Sequence, residues 1–144
     1  MYSIGQVSEM FGLPVSTLRY YDKEGLFPDI QRVSGIRKFS ENELEALRVI
    51  DCLKKSGLEI KDIKQFIEWS KEGSKTFEVR KELFEKQKEV VEKEIAKLER
   101  VLAMLNYKSW YYEEAIKAGN EEAVLTMIPD DLPQHVKEAY EHSH

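Results

Sequence analysis

The sequence predicts a mainly α-helical chain: a winged helix-turn-helix head, then one long coiled-coil helix, then a short tail. Three observations predict it. Two short helices with clear ends precede a turn-bearing pair of β-prone runs within the first forty residues. An apolar residue recurs every seven positions after Thr76, and a polar, proline-marked stretch follows Tyr112.

The first helix opens with a capping box, Ser3 accepting from the amide of Gln6 and Gln6 reaching back to that of Ser3. Ile4, Val7 and Phe11 share one face, and Gly12 is placed to end the helix in a left-handed cap. After Leu13-Pro14-Val15, Ser16 is the expected cap of a second helix that runs to about Gly25. Leu18 and Tyr21 point inward by their spacing, although Tyr21 could also serve a ligand. Ser16, Thr17, Arg19, Tyr20 and Lys23 are left facing outward. Two short helices joined by a tight turn present the start of the second to base edges in a major groove, so double-stranded DNA is the partner this arrangement suits.

Ile30–Val33 and Ile36–Phe39 flank Ser34-Gly35, a turn-forming pair, which predicts a two-stranded hairpin whose basic residues reach sideways to phosphates as a wing. Ser40 and Glu43 read as a second capping box. It opens a third helix with Leu44, Leu47, Ile50 and Leu53 inward and Gly57 as terminator. A fourth helix carries Ile60, Ile63, Phe66 and Ile67 on one side and ends near Gly73.

The long segment is marked by Phe77, Phe84, Val91, Leu98, Leu105 and Tyr112, seven apart, with Ile95 and Leu102 four after Val91 and Leu98. No Gly or Pro lies between Thr76 and Tyr112, and Glu, Lys and Arg fill the other positions. A helix of this length is a rod of roughly 55 Å, more than a small compact domain can cover. A second copy of the chain is the simplest partner, with Phe84, Val91, Ile95, Leu98, Leu102, Leu105 and Tyr112 as the pairing seam. Packing within one chain is the other reading of an amphipathic helix. The organisation expected is residues 1–74 as the head, 75–112 as the pairing helix and 113–144 as a tail, in which Ala115–Ala118 could continue a helix that Gly119-Asn120 ends and Met127-Ile128-Pro129 and Leu132-Pro133 mark an irregular or short-helical stretch.

Composition bounds the possibilities. The chain has 144 residues, 42% of them apolar, and no run approaches the roughly 18 apolar residues of a membrane helix. Its start lacks a basic region and an apolar signal core, so the expectation is a soluble, cytoplasmic protein. The net charge of −5 argues at first against DNA. Its distribution answers that: residues 1–75 hold twelve basic and twelve acidic side chains, whereas residues 76–144 hold ten and fifteen. No histidine precedes His135 and no glycine-rich phosphate loop occurs, so an enzyme fits poorly. His135, His142 and His144 lie in a polar tail and read as solvated, with no metal and no cofactor expected.

Gln6-Val7, then Val15-Ser16-Thr17-Leu18-Arg19-Tyr20-Tyr21-Asp22-Lys23-Glu24-Gly25-Leu26, then Gly35-Ile36-Arg37-Lys38-Phe39, resembles the MerR family of bacterial transcription regulators. The pattern covers about the first half of the chain directly. The resemblance implies a winged-helix DNA-binding domain, an antiparallel dimerisation helix and a C-terminal effector region. It also implies a homodimer on a pseudo-palindromic promoter, distorting DNA so that RNA polymerase can engage. Arg19 is then the first choice for a DNA contact. Ser16, Thr17, Tyr20, Lys23, Arg37, Lys38 and Lys61 accompany it at bases or phosphates.

Cys52, the single cysteine, sits in Asp51-Cys52-Leu53-Lys54-Lys55-Ser56-Gly57 at the end of the third helix. A lone cysteine is ordinarily a small buried apolar side chain. Here the setting is similar to the single-cysteine branch that responds to aldehyde and nitrosative stress, which implies sensing of an electrophile at Cys52. Two alternatives stay open: a regulator responding to a small molecule without thiol chemistry, and an excisionase-like architectural DNA-binding protein.

Overall fold

The computed structural model describes residues 1–144, and the chain divides into two compact units, Met1–Val90 and Val91–His144. It is mainly helical, as the sequence predicts, with one small hairpin.

In the first unit, α1 (Ile4–Phe11) begins at the expected capping box: Ser3 Oγ accepts from the Gln6 amide at 3.2 Å, and Gln6 Oε1 accepts from the Ser3 amide at 2.8 Å. Gly12 closes it with φ 64°, a left-handed conformation that costs glycine little. Helix α2 (Val15–Lys23) departs from the expected start. Its cap position is Pro14, and Ser16 lies inside the first turn without a capping bond. The proline ring holds φ at −60° with extended ψ, and its carbonyl accepts from the amides of Thr17 and Leu18, so the helix can begin earlier than a serine cap would allow.

Strands β1 (Gln31–Val33) and β2 (Ile36–Lys38) form the hairpin, antiparallel, with Arg32 opposite Arg37. Ser34 and Gly35 both take positive φ, 51° and 77°, the two-residue loop whose twist matches the strands. The base of the wing is tied to the chain start, because Tyr2 and Phe39 exchange two backbone hydrogen bonds of 2.8 Å.

Helix α3 (Glu41–Lys55) starts at Ser40, but the second capping box does not form. The Ser40 hydroxyl donates to Glu43 Oε2 at 2.6 Å, which gives a buried carboxylate a partner, and it makes no hydrogen bond to the helix amides. Leu44, Leu47, Ile50 and Leu53 are buried as expected. They pack with Val7, Leu18, Tyr21, Phe39 and Ile63 of α4 (Ile60–Glu72) into one core. A short 3₁₀ turn, Gly73–Thr76, leads into α5 (Phe77–Ala118). Arg80 braces that turn, donating through Nη2 to the Gly73 carbonyl and through Nε to the Thr76 hydroxyl.

Helix α5 continues through Tyr112 to Ala118, the continuation that Ala115–Ala118 allowed, since Glu113, Glu114, Ala115 and Lys117 are good helix formers and Gly119, at φ 78°, supplies the stop. All seven seam residues are exposed, Leu98 at 65% and Leu105 at 61%.

Of the two forms expected for the tail, irregular or short-helical, the structure has the second. In the second unit α6 (Glu122–Leu125) and α7 (Gln134–Ser143) fold onto the end of α5. Tyr107, Trp110 and Tyr111 bury themselves against Val124, Leu132 and Val136. Val136, Ala139 and Tyr140 give α7 an apolar face at helical spacing, which needs these aromatic partners to become decisive. His144 is exposed but not free: its ring stacks on Tyr140 with centroids 4.1 Å apart. No group of three or more His, Cys, Asp or Glu side chains is placed to hold a metal ion, and no helix is long and apolar enough to cross a membrane.

Candidate nucleic-acid interface

Helix α2 is anchored by Leu18 and Tyr21, both buried, and this orientation turns Ser16, Arg19, Tyr20 and Lys23 to solvent while Thr17 is half-buried. Burial raises the Tyr21 hydroxyl above its ordinary value, with the Asp51 carboxylate adding to it. Tyr21 is therefore a core residue, and Tyr20, with its ring 46% exposed, is the outward one. The first turn of α2 holds no acidic residue, so the positive end of the helix is not offset and favours an anion. No carboxylate holds Arg19 or Lys23.

The wing stands beside this face. Arg37 and Lys38 are half-buried, and Arg32 is more exposed. Sequence reasoning missed the group that places them. Asp22, on α2, has a side chain only 8% exposed; its Oδ2 accepts from Arg37 Nε at 2.6 Å and from Arg32 Nη2 at 2.8 Å. The available signal was the register: as cross-strand partners, Arg32 and Arg37 share one face of the hairpin and can meet one carboxylate. A further unforeseen pair, Glu24 with Lys64, joins the end of α2 to α4. Lys61 is exposed in the first turn of α4, its Nζ 3.5 Å from Glu59 Oε2.

Cys52 is exposed in the last turn of α3, not a buried apolar filler. Of the lysines beside it, Lys55 is held by Asp51 at 2.8 Å, and that hydrogen bond raises its ammonium above the ordinary value. The Cys52 carbonyl accepts the Ser56 amide at 3.0 Å. Ser56 is in turn gripped by Gln87 of α5, whose Nε2 donates to its carbonyl at 3.2 Å and its hydroxyl oxygen at 2.9 Å.

Residues 2–68 match the family described as MerR HTH family regulatory protein, and residues 44–107 match that described as MerR, DNA binding. An uncharacterized HTH-type transcriptional regulator of Haemophilus influenzae is 41% identical over 131 residues, spanning 90% of this chain and 97% of that protein. The HTH-type transcriptional regulator AdhR of Bacillus subtilis is 38% identical over 82 residues, 56% of this chain and 59% of AdhR. Among solved structures, HiNmlR, described as a MerR family regulator lacking the sensor domain and bound to promoter DNA, superposes with a TM-score of 0.72 at 41% identity. The match covers 85% of this chain and 98% of that one.

Proposed function

Because the chain belongs to the MerR family of DNA-binding transcriptional regulators, and is not an enzyme, we propose that it acts as a homodimer that reads a pseudo-palindromic promoter and reshapes it for RNA polymerase. The observation that carries this reading is the unpaired cationic face of α2 standing beside a basic wing, in a chain similar to HiNmlR, a structure bound to promoter DNA. In this reading Arg19 meets a base edge in the major groove. Ser16, Thr17, Tyr20, Lys23, Arg37, Lys38 and Lys61 hold phosphates on either side.

The exposed seam of α5 supports pairing of two chains, through Phe84, Val91, Ile95, Leu98, Leu102, Leu105 and Tyr112. Residues 1–74 then read DNA, 75–112 pair, and 113–144 serve an effector role. Bending and untwisting a promoter costs on the order of 1–10 kcal/mol, offset by contacts that the deformed DNA gains. An inducer need shift the preference between two DNA shapes by only about 1–3 kcal/mol.

Cys52 is the proposed trigger, and its exposure supports access by an electrophile. An aldehyde adds its carbonyl carbon to the sulfur and the thiol proton ends on the new hydroxyl, so no oxidant is required. The protein acts where promoters and polymerase are, in the cytoplasm.

The test is transcription by purified RNA polymerase from a promoter that the protein binds, with permanganate footprinting, with and without formaldehyde. The expected result is aldehyde-dependent transcription with distorted promoter DNA, lost in Cys52→Ser while DNA binding persists. Induction intact in Cys52→Ser would leave a small-molecule response without thiol chemistry. Binding without any effect on transcription would favour the excisionase-like architectural role.

A further inference from the structure

We propose that Asp22 is a positioning residue for DNA reading, the clamp that sets the wing against the recognition helix. The inference rests on the reading of α2 and the wing as the DNA-contacting surfaces.

The geometry is specific. One carboxylate oxygen, on a side chain 8% exposed, takes hydrogen bonds from both strands of the hairpin, Arg32 Nη2 at 2.8 Å and Arg37 Nε at 2.6 Å. The hairpin has three residues per strand and a two-residue loop, too little to be rigid by itself. It is pinned at its base by the bridge between Tyr2 and Phe39, so Asp22 is a second attachment further along the strands. Two attachments fix the direction of a ribbon where one leaves it free to swing.

The choice of donor atoms matters equally. Arg37 is held through Nε, which leaves both terminal nitrogens of its guanidinium for a phosphate, and Arg32 keeps Nη1 and Nε. Asp22 therefore aims two cations without using up their donors. It also cancels one positive charge on the DNA-facing surface. The arrangement trades bulk attraction, which every sequence enjoys, for fixed placement, which only a correct site rewards.

This trade separates a clamp from a structural prop. The experiment uses the full chain and two duplexes: one recovered from a random-sequence pool by the unaltered protein, and a shuffled duplex of the same composition. Asp22→Asn keeps the size of the side chain and removes its charge. The expected result is a tenfold or greater loss of affinity for the recovered duplex with affinity for the shuffled duplex unchanged or increased. The salt slope of shuffled-duplex binding should steepen by about one unit, as a cation is released to phosphate. Asp22→Glu, which retains the carboxylate, should recover part of the discrimination.

Equal losses on both duplexes, or no loss on either, would overturn the proposal, and thermal unfolding of each variant identifies a loss due to misfolding. Arg32→Ala and Arg37→Ala provide the separate control. If they weaken binding to both duplexes while Asp22→Asn leaves discrimination intact, Asp22 is no clamp. If they change neither affinity nor salt slope, the reading of the wing itself fails.

Discussion

Arg19, like Lys23, leaves α2 with no carboxylate to hold it, while the helix's one acidic residue, Asp22, is engaged by the wing arginines. A guanidinium kept free beside a positive helix end is what a bidentate contact to guanine requires. Replacing it with alanine should cost about 1–3 kcal/mol, roughly 5- to 150-fold in affinity for a recognised duplex, measured by fluorescence anisotropy at moderate salt. Arg19→Lys should recover little of this if the contact is bidentate, because an ammonium is a point charge without the planar fork. Unchanged affinity in Arg19→Ala would dismiss the proposed docking. At this scale the outward set on α2 was legible from helical spacing alone, since Leu18 and Tyr21 must face inward together. Asp22 was not, because its partners lie ten and fifteen residues away and a count of acidic against basic residues cannot tell opposition from support.

Among the elements, the hairpin and the second core show what local pattern can and cannot specify. The Ser34-Gly35 loop was readable because serine is a common turn residue and glycine takes the left-handed region at little cost, as Gly35 does at φ 77°. Gly35→Val should cost on the order of 1–2 kcal/mol in urea unfolding, since a β-branched residue at that φ is strained, and should weaken DNA binding by misdirecting the wing. The start of α2 and the capping bonds of α3 differ from expectation because capping side chains have alternatives: a preceding proline carbonyl in one case, a buried glutamate in the other. The tail was unreadable for a deeper reason. Its helices are short, and their stability comes from tyrosines and a tryptophan on another element rather than from their own sequence.

Those tyrosines make the second unit sensitive to alkali. Burial raises Tyr107 above its ordinary value of 10.0; burial does the same for Tyr111, whose hydroxyl also donates to Glu121 at 3.0 Å. A raised value means the folded chain keeps the proton after the unfolded chain has lost it. The stabilisation is therefore complete below pH 10.0 and is lost as pH climbs through the raised folded values. Tyrosinate absorbance and circular dichroism followed together should show ionisation of these groups coinciding with loss of helix, and Tyr107→Phe should blunt the coincidence. Tyrosinate forming in a still-helical protein at the ordinary value would contradict it.

At the level of the whole molecule, the acidic excess lies outside the DNA-binding half, so a net charge of −5 coexists with a cationic reading surface. The seam of α5 is exposed along its length, and a second copy is the occupant proposed for it. Leu98→Glu, at a position 65% exposed, should leave each chain folded while converting the assembly to monomer in sedimentation at micromolar concentration. DNA affinity should fall with it, because one head buries limited surface. A variant that remains dimeric would place the pairing surface elsewhere. The heptad was legible because seven-residue periodicity is a one-dimensional signal, needing no knowledge of what packs against it.

The amide of Gln87 gives the Cys52 region a kinetic character. Its two donors both go to Ser56, thirty-one residues earlier, and Ser56 gives its own amide to the Cys52 carbonyl. Opening the last turn of α3 therefore also breaks the side-chain bonds that Gln87 makes to Ser56, so the turn opens against that added hold. In hydrogen exchange, amides at the end of α3 should acquire deuterium faster in Gln87→Ala than in the unaltered chain. A group added to the Cys52 sulfur would then register first as a change in how often this joint opens, well before any atom of α5 has taken up a new average position.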